Sequence, residues 1–290
     1  MPGPWLPEAT PVRDAEAPVP LPQLPALAQL LRHARRLDAA ADWRAGLLSA
    51  LGMDPSLPPV AVAAAAVPAA GDAALCFAAP LHLVAGMSRV HLPAGGRLSP
   101  AADEEAAWRA AFEAEFAPSG LRLHVAAPGG GWLLEAPFAH AAREASPEAL
   151  MGGTLARVPA VSAEEKALRR LIAECELWLS THPLNRAREA RGEPLMNTWW
   201  FWGGGRSRPM GTPRGLASLG TDGPADAWLA GLAARAGLPL QRVTGFDAAL
   251  EGMQSAAAEA AGPEEGDIRH AVFVPLPAAG APTAQYWQQL

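Results

Sequence analysis

Lysine is nearly missing from this chain of 290 residues: Lys166 is the single one, and every other basic side chain is arginine. Together with abundant alanine, 30 prolines and 28 glycines, this is the mark of a GC-rich coding bias, so arginine number alone is a poor guide to function. Cysteine is scarce too. Cys76 and Cys175 stand far apart among apolar neighbours, which excludes a disulfide framework and any metal-type Cys spacing and predicts two reduced core thiols. Positive charge is in deficit, with a net charge of −6, and this excludes a general nucleic-acid binder, which needs a basic surface to displace counterions. Long hydrophobic runs are missing. The most apolar stretch, residues 60–70, is Ala-rich and broken by Pro68, well short of the ~20 residues of a membrane helix. The N-terminus has no basic n-region and no apolar h-region, so no secretory signal is expected. These absences predict a soluble cytoplasmic protein with neither nucleic acid nor membrane as partner.

What is present begins with prolines at 2, 4, 7, 11, 18, 20 and 22, predicting an extended or disordered arm over residues 1–22. Residues 23–69 read as a helical extension and linker. Leu24, Leu27, Leu30, Leu31 and Leu37 recur at helical spacing, and Trp43, Leu47, Leu48 and Leu51 form a second run; Pro55, Pro58 and Pro59 mark the linker. Residues 70–290 read as the main domain. Strands are expected at 75–77, 80–84 and 90–92. A helix over 103–116 carries Trp108, Phe112 and Phe116 on one face. Residues 121–125 alternate strictly and pair as a hairpin with 132–134 across Gly129 to Gly131. The clearest helix is 163–181, opened by the capping box Ser162/Glu165. Asp222-Gly223-Pro224 reads as a helix start, followed by a strand at 238–243, a helix at 247–261 and a strand at 268–275. Alternating strands and helices in the C-terminal half predict an α/β fold with a mixed, mostly parallel sheet and flanking helices.

The most specific segment runs from His182-Pro183-Leu184-Asn185 through Arg186, Arg188, Arg191 and Gly192 to Asn197-Thr198-Trp199-Trp200-Phe201-Trp202-Gly203-Gly204-Gly205. In a strand, Trp200 and Trp202 face one side and Trp199 and Phe201 the other, so the strand is expected to be central and covered on both faces. Two readings stand for these aromatics: plain core packing, or, for Trp202 beside Gly203, the wall of a cavity. Two readings also stand for the triple glycine. It simply ends the strand sharply, or its bare N–H groups hold an anion with Arg206, Arg186, Arg188 or Arg208 adding bidentate bonds. Neither a P-loop nor a dinucleotide fingerprint fits the residues that follow. Asn185 and Asn197 either fix loops or reach a ligand oxygen. His182, just past a long helix, is read as serving that helix's C-terminal dipole. The candidate anion site is therefore Asn185, Arg188, Asn197, Trp202, Gly203, Gly204, Gly205 and Arg206. No histidine pairing with metal spacing and no nucleophile elbow occurs, so no metal, cofactor or catalytic residue is assigned.

The carried positions His182, Pro183, Asn185, Arg188, Gly192, Asn197, Trp200, Trp202, Gly203 and Gly205 resemble a segment of the archaeal-type cofactor-independent phosphoglycerate mutases. They resemble more closely a bacterial group of RpfE-type regulatory proteins, with a weaker match at Ala78-Ala79-Pro80-Leu81-His82-Leu83, where Ala79 replaces an acidic residue. The likeness spans roughly residues 70–250. It implies an alkaline-phosphatase-like relative. That superfamily uses a Ser or Thr nucleophile and two metal ions held by Asp and His, including an N-terminal Asp-Gly strand end and a C-terminal Gly-His cluster. This chain has neither, and two-metal phosphoryl transfer needs those ligands. The expectation is a pseudoenzyme: a mutase-like regulatory or metabolite-sensing protein that binds a small phosphorylated or carboxylated metabolite near the Trp-Gly motif. The alternatives are a metal-dependent mutase or phosphotransferase with cryptic ligands, and a structural or protein-binding module. The bacterial group usually continues past the position of Leu290, and the sequence leaves open whether this chain is truncated.

Overall fold

The computed structural model describes residues 42–242, apart from 87–89, 94, 151–153, 156–158, 207, 209, 214 and 222–225, together with 270–274. The proline arm, the leucine run at 24–37, the helix start at 222–224, the helix at 247–261 and the chain end lie outside the described residues. In chain order the elements are α1 (Trp43–Ala50), α2 (Pro59–Ala63), β1 (Ala74–Leu81), β2 (Val84–Ala85), β3 (Val90–His91), α3 (Ala102–Phe116), β4 (Arg122–Ala127) and β5 (Gly131–Glu135). There follow α4 (Pro147–Leu150), β6 (Thr154–Leu155), α5 (Ala163–Thr181), α6 (Pro183–Ala190), β7 (Thr198–Arg206), β8 (Leu216–Thr221), α7 (Ala227–Ala236), β9 (Leu240–Arg242) and β10 (His270–Val274).

The main sheet has the order β4-β5-β1-β7, and every pairing in it is antiparallel. This corrects the expectation of a mostly parallel sheet. The βαβ pattern that prompted it belongs to the C-terminal strands alone, where β8 pairs in parallel with both β9 and β10 and α7 makes the β8-to-β9 crossover. The chain is a mixed α/β protein whose larger sheet joins one hairpin, β4–β5, to β1 and β7 by long-range antiparallel pairing. Gly129 and Gly130, both at positive φ, turn β4 into β5.

The main sheet is covered on both faces, which an antiparallel sheet needs only when each face is apolar. β1 is buried at all eight positions, and its side chains alternate. Leu75, Phe77, Ala79 and Leu81 join Leu48, Leu51, Val60, Val62, Trp228, Leu229 and Leu232 from α1, α2 and α7 in one core. Cys76 and Ala78 join Trp108, Phe112, Phe116, Leu168, Leu171, Cys175 and Leu179 from α3 and α5 in the other. The α3 face is the one read from the Trp108/Phe112/Phe116 spacing. The cap of α5 is also as expected: Glu165 N–H donates to Ser162 Oγ at 3.0 Å, and Ser162 N–H donates to the Glu165 carboxylate at 3.0 Å. The stretch read as a linker carries α2, buried throughout after Pro59. α7 is capped by Asp226, which accepts the N–H groups of Trp228 and Leu229. Among the described residues no helix is long and apolar enough to cross a membrane.

Candidate functional site

β7 has the two-faced character its alternation predicts, Trp199 and Phe201 entering the α3/α5 core and Trp202 the α1/α2/α7 core. It is nevertheless the edge strand of its sheet rather than a central one. The open side is met by the chain after β5, where Ala142 O accepts the Gly204 N–H at 2.7 Å and Ala145 O accepts the Trp200 indole N–H at 2.8 Å.

The triple glycine does not end the strand, which runs through it to Arg206. Phe77 faces Trp202 and Leu75 faces Gly205, so Gly203 and Gly204 together oppose Cys76 alone. This is a β-bulge, with Gly203 at φ +61° supplying the left-handed residue. The neighbours explain the glycines that follow. A Cβ on Gly204 would lie 2.1 Å from Ala139 O, and one on Gly205 would lie 2.7 Å from Pro58 Cβ. Close backbone approach requires glycine here whether or not a ligand binds.

The His-Pro-x-Asn-x-x-Arg stretch forms a junction between helices. His182 Nδ1 accepts the Leu184 N–H at 3.2 Å and so caps the start of α6, with Pro183 at its first position. The ring leans on Trp108 and Trp178 at 4.8 and 4.5 Å. The structure therefore corrects its reading as a partner of the α5 dipole: an accepting Nδ1 is an unprotonated one, and burial pulls its pKa down. Asn185 donates to Leu179 O at 2.8 Å and Met196 O at 2.7 Å and accepts the Met196 N–H at 2.9 Å. Arg188 donates to both Glu104 oxygens at 2.7 and 2.8 Å and through Nε to Pro194 O at 2.7 Å, binding α6 to α3. Asn197 exchanges two bonds with the Leu83 backbone, at 2.8 and 2.7 Å. The sequence brings these side chains to the motif, and the fold directs them at protein groups.

Three of the eight candidate residues do meet at an open space. A cleft of about 350 Å³ is lined by Trp202, Gly203 and Gly204, by Asp42, Pro58 and Pro59, and by residues 142–146. Asn185, Arg188, Asn197, Gly205 and Arg206 are not in its lining. Behind the wall lies Arg44, 2% exposed, which sequence reasoning missed. Its signal was readable: Arg44 shares a helical face with Leu48 and Leu51, both buried. Its guanidinium lies 4.5 Å from the Trp43 ring centre and 4.9 Å from that of Trp202, whose ring also stacks on Phe77 at 4.2 Å. Asp42, Glu148 and Asp226 each approach it at 3.6 Å, and none is within hydrogen-bond reach. Burial opposes its charge, but these three acids outweigh burial and raise its pKa. Arg97 pairs closely with Glu148 and lies 3.8 Å from Asp226. Burial works to raise the Glu148 pKa, yet Arg97 and Arg44 hold it down at about 2. Both thiols are free and buried, and burial pushes their pKa values up, which disfavours the thiolate. Among the described residues no group of three or more His, Cys, Asp or Glu side chains is placed to hold a metal ion.

No protein-family model matches the chain, and no curated protein matches it. Among solved structures it is distantly similar to the cofactor-independent phosphoglycerate mutase from Thermoplasma acidophilum DSM 1728, with a TM-score of 0.38 and 14% identity. That likeness covers 83% of this chain, which spans 65% of the mutase's length.

Proposed function

We propose that this chain is a non-catalytic, mutase-like regulatory or sensing protein that takes a small phosphorylated or carboxylated metabolite in the cleft beside Trp202, Gly203 and Gly204. The cleft itself carries the reading. At about 350 Å³ it is of the size that holds small metabolites, and a purely packed aromatic strand would leave no such space. Arg143 on its rim supplies a guanidinium for the anionic group. Trp202 in the wall makes binding visible. Titration with 3-phosphoglycerate and with inorganic phosphate, followed by tryptophan fluorescence, is expected to saturate. Arg143→Ala is expected to weaken that response roughly tenfold, with an unchanged unfolding midpoint, because Arg143 is exposed. A flat titration with every phosphorylated or carboxylated probe would favour the structural module. Turnover of phosphoglycerate by the purified protein with an added divalent metal would overturn the non-catalytic part.

A further inference from the structure

Among the described residues the charges around the cleft do not balance, and the imbalance falls at one place. Arg44 and Arg97 face three described carboxylates, those of Asp42, Glu148 and Asp226, so these five side chains together carry one negative charge. The Glu148 and Asp226 side chains are sealed, at 5% and 3% exposed, and Arg97 approaches both. Asp42 is the third acid. It is 39% exposed and lines the cleft. Its direction is set, because Oδ1 accepts the Arg44 N–H at 3.0 Å as the cap of α1, so the carboxylate is held in place rather than swinging in solvent. Arg44 cannot neutralise it fully, since the same guanidinium is shared with two buried acids at the same 3.6 Å. The remaining charged residues in the lining, Arg143 and Glu144, are both exposed. The cleft thus offers a guanidinium to an anion and a fixed, under-neutralised carboxylate to a cation.

We infer that the ligand is a small zwitterion, an ammonium group joined to a carboxylate or phosphate by a few carbons. Its ammonium meets Asp42 and its anionic end meets Arg143. This deepens the proposed function and rests on the same cleft. Among the described lining residues a simple anion meets two carboxylates, Asp42 and Glu144, and one guanidinium, Arg143, whereas an ammonium at Asp42 offsets the excess.

The test uses a matched pair of probes on the full chain. O-phosphoserine and 3-phosphoglycerate share one skeleton and differ in an ammonium against a hydroxyl. Calorimetric titration is expected to find O-phosphoserine at least roughly tenfold tighter. Asp42→Asn keeps a side chain that caps a helix equally well but removes one of the three acids around Arg44, so the unfolding midpoint is expected to fall with the fold retained by circular dichroism, while the preference between the probes disappears. Equal affinities, or a preference that survives Asp42→Asn, would overturn the zwitterion assignment and leave the metabolite site standing. Failure of both probes to bind would remove the site and the assignment together. Tighter binding of 3-phosphoglycerate would show that the wall accepts anions alone and would overturn the assignment directly.

Discussion

At the scale of single residues, the sharpest consequences come from places where there is no room and places where there is no water. Gly204→Ala puts a Cβ 2.1 Å from a backbone oxygen, which cannot swing away as a side-chain tip could. It is expected to cost about 2 kcal/mol or more, read from the shift in urea midpoint. Gly211→Ala is the control: nothing lies within 4 Å of its Cβ, and its midpoint is expected to hold within about 0.5 kcal/mol. Glu148 sets an acid limit. Its folded pKa lies below the ordinary value of 4.5, so its ion pairs stabilise the fold fully above that value and less as pH falls from there toward about 2. Stability measured between those pH values is expected to decline for the native chain and to flatten for Glu148→Gln. A slope unchanged by the substitution would remove Glu148 from the acid response.

At the scale of elements, the recognisable motif acts as a clamp. α6 is eight residues long and too short to persist alone, so its position depends on what holds it. Asn185 ties it to the end of α5 and to the segment before β7, and Arg188 ties it to Glu104 of α3. Arg188→Ala is expected to lower stability by about 3 kcal/mol, because it strips a largely buried carboxylate of its partner. Its effect on metabolite affinity is expected to be much smaller than that of Arg143→Ala, and comparing the two variants in one titration separates fold-holding from ligand-holding arginines. The elements legible in the sequence were those with strong local periods. α3 showed its aromatic face, α5 its stripe and cap, and β4 and β5 their alternation about a glycine turn. The triple glycine was misjudged because a bulge is defined by the partner strand and by the neighbours at Ala139 and Pro58, none of which is adjacent in the chain.

At the scale of the whole molecule, α1 and α2 close one face of the main sheet. Leu48, Leu51, Val60 and Val62 are all at most 2% exposed and share a core with Phe77, Trp202 and Trp228. Losing even two such side chains costs roughly 4–10 kcal/mol, which is comparable with the whole stability of a typical domain. A chain begun at residue 70 is therefore expected to lose cooperative unfolding and near-ultraviolet circular dichroism. A sharp, single unfolding transition in that shortened chain would show that the main domain stands without them. The same packing delivers Asp42 and Arg44 to the cleft, so the candidate site is assembled from α1, the α2 entry, the chain after β5, and β7.

The sequence by itself determined the strongly periodic elements, α3, α5, β4 and β5, and the two apolar faces of β7, because these follow from spacing within a few residues. Its motif marked the right region of the chain. Tertiary structure alone decided that the main sheet is antiparallel, that Asn185, Arg188 and Asn197 turn toward the protein, that Gly204 and Gly205 leave room for the Ala139 carbonyl and the Pro58 ring, and that Glu148 and Asp226 gather around Arg44 behind Trp202. Each of these depends on contacts between residues distant along the chain, and no local period records what the far side of a contact will be.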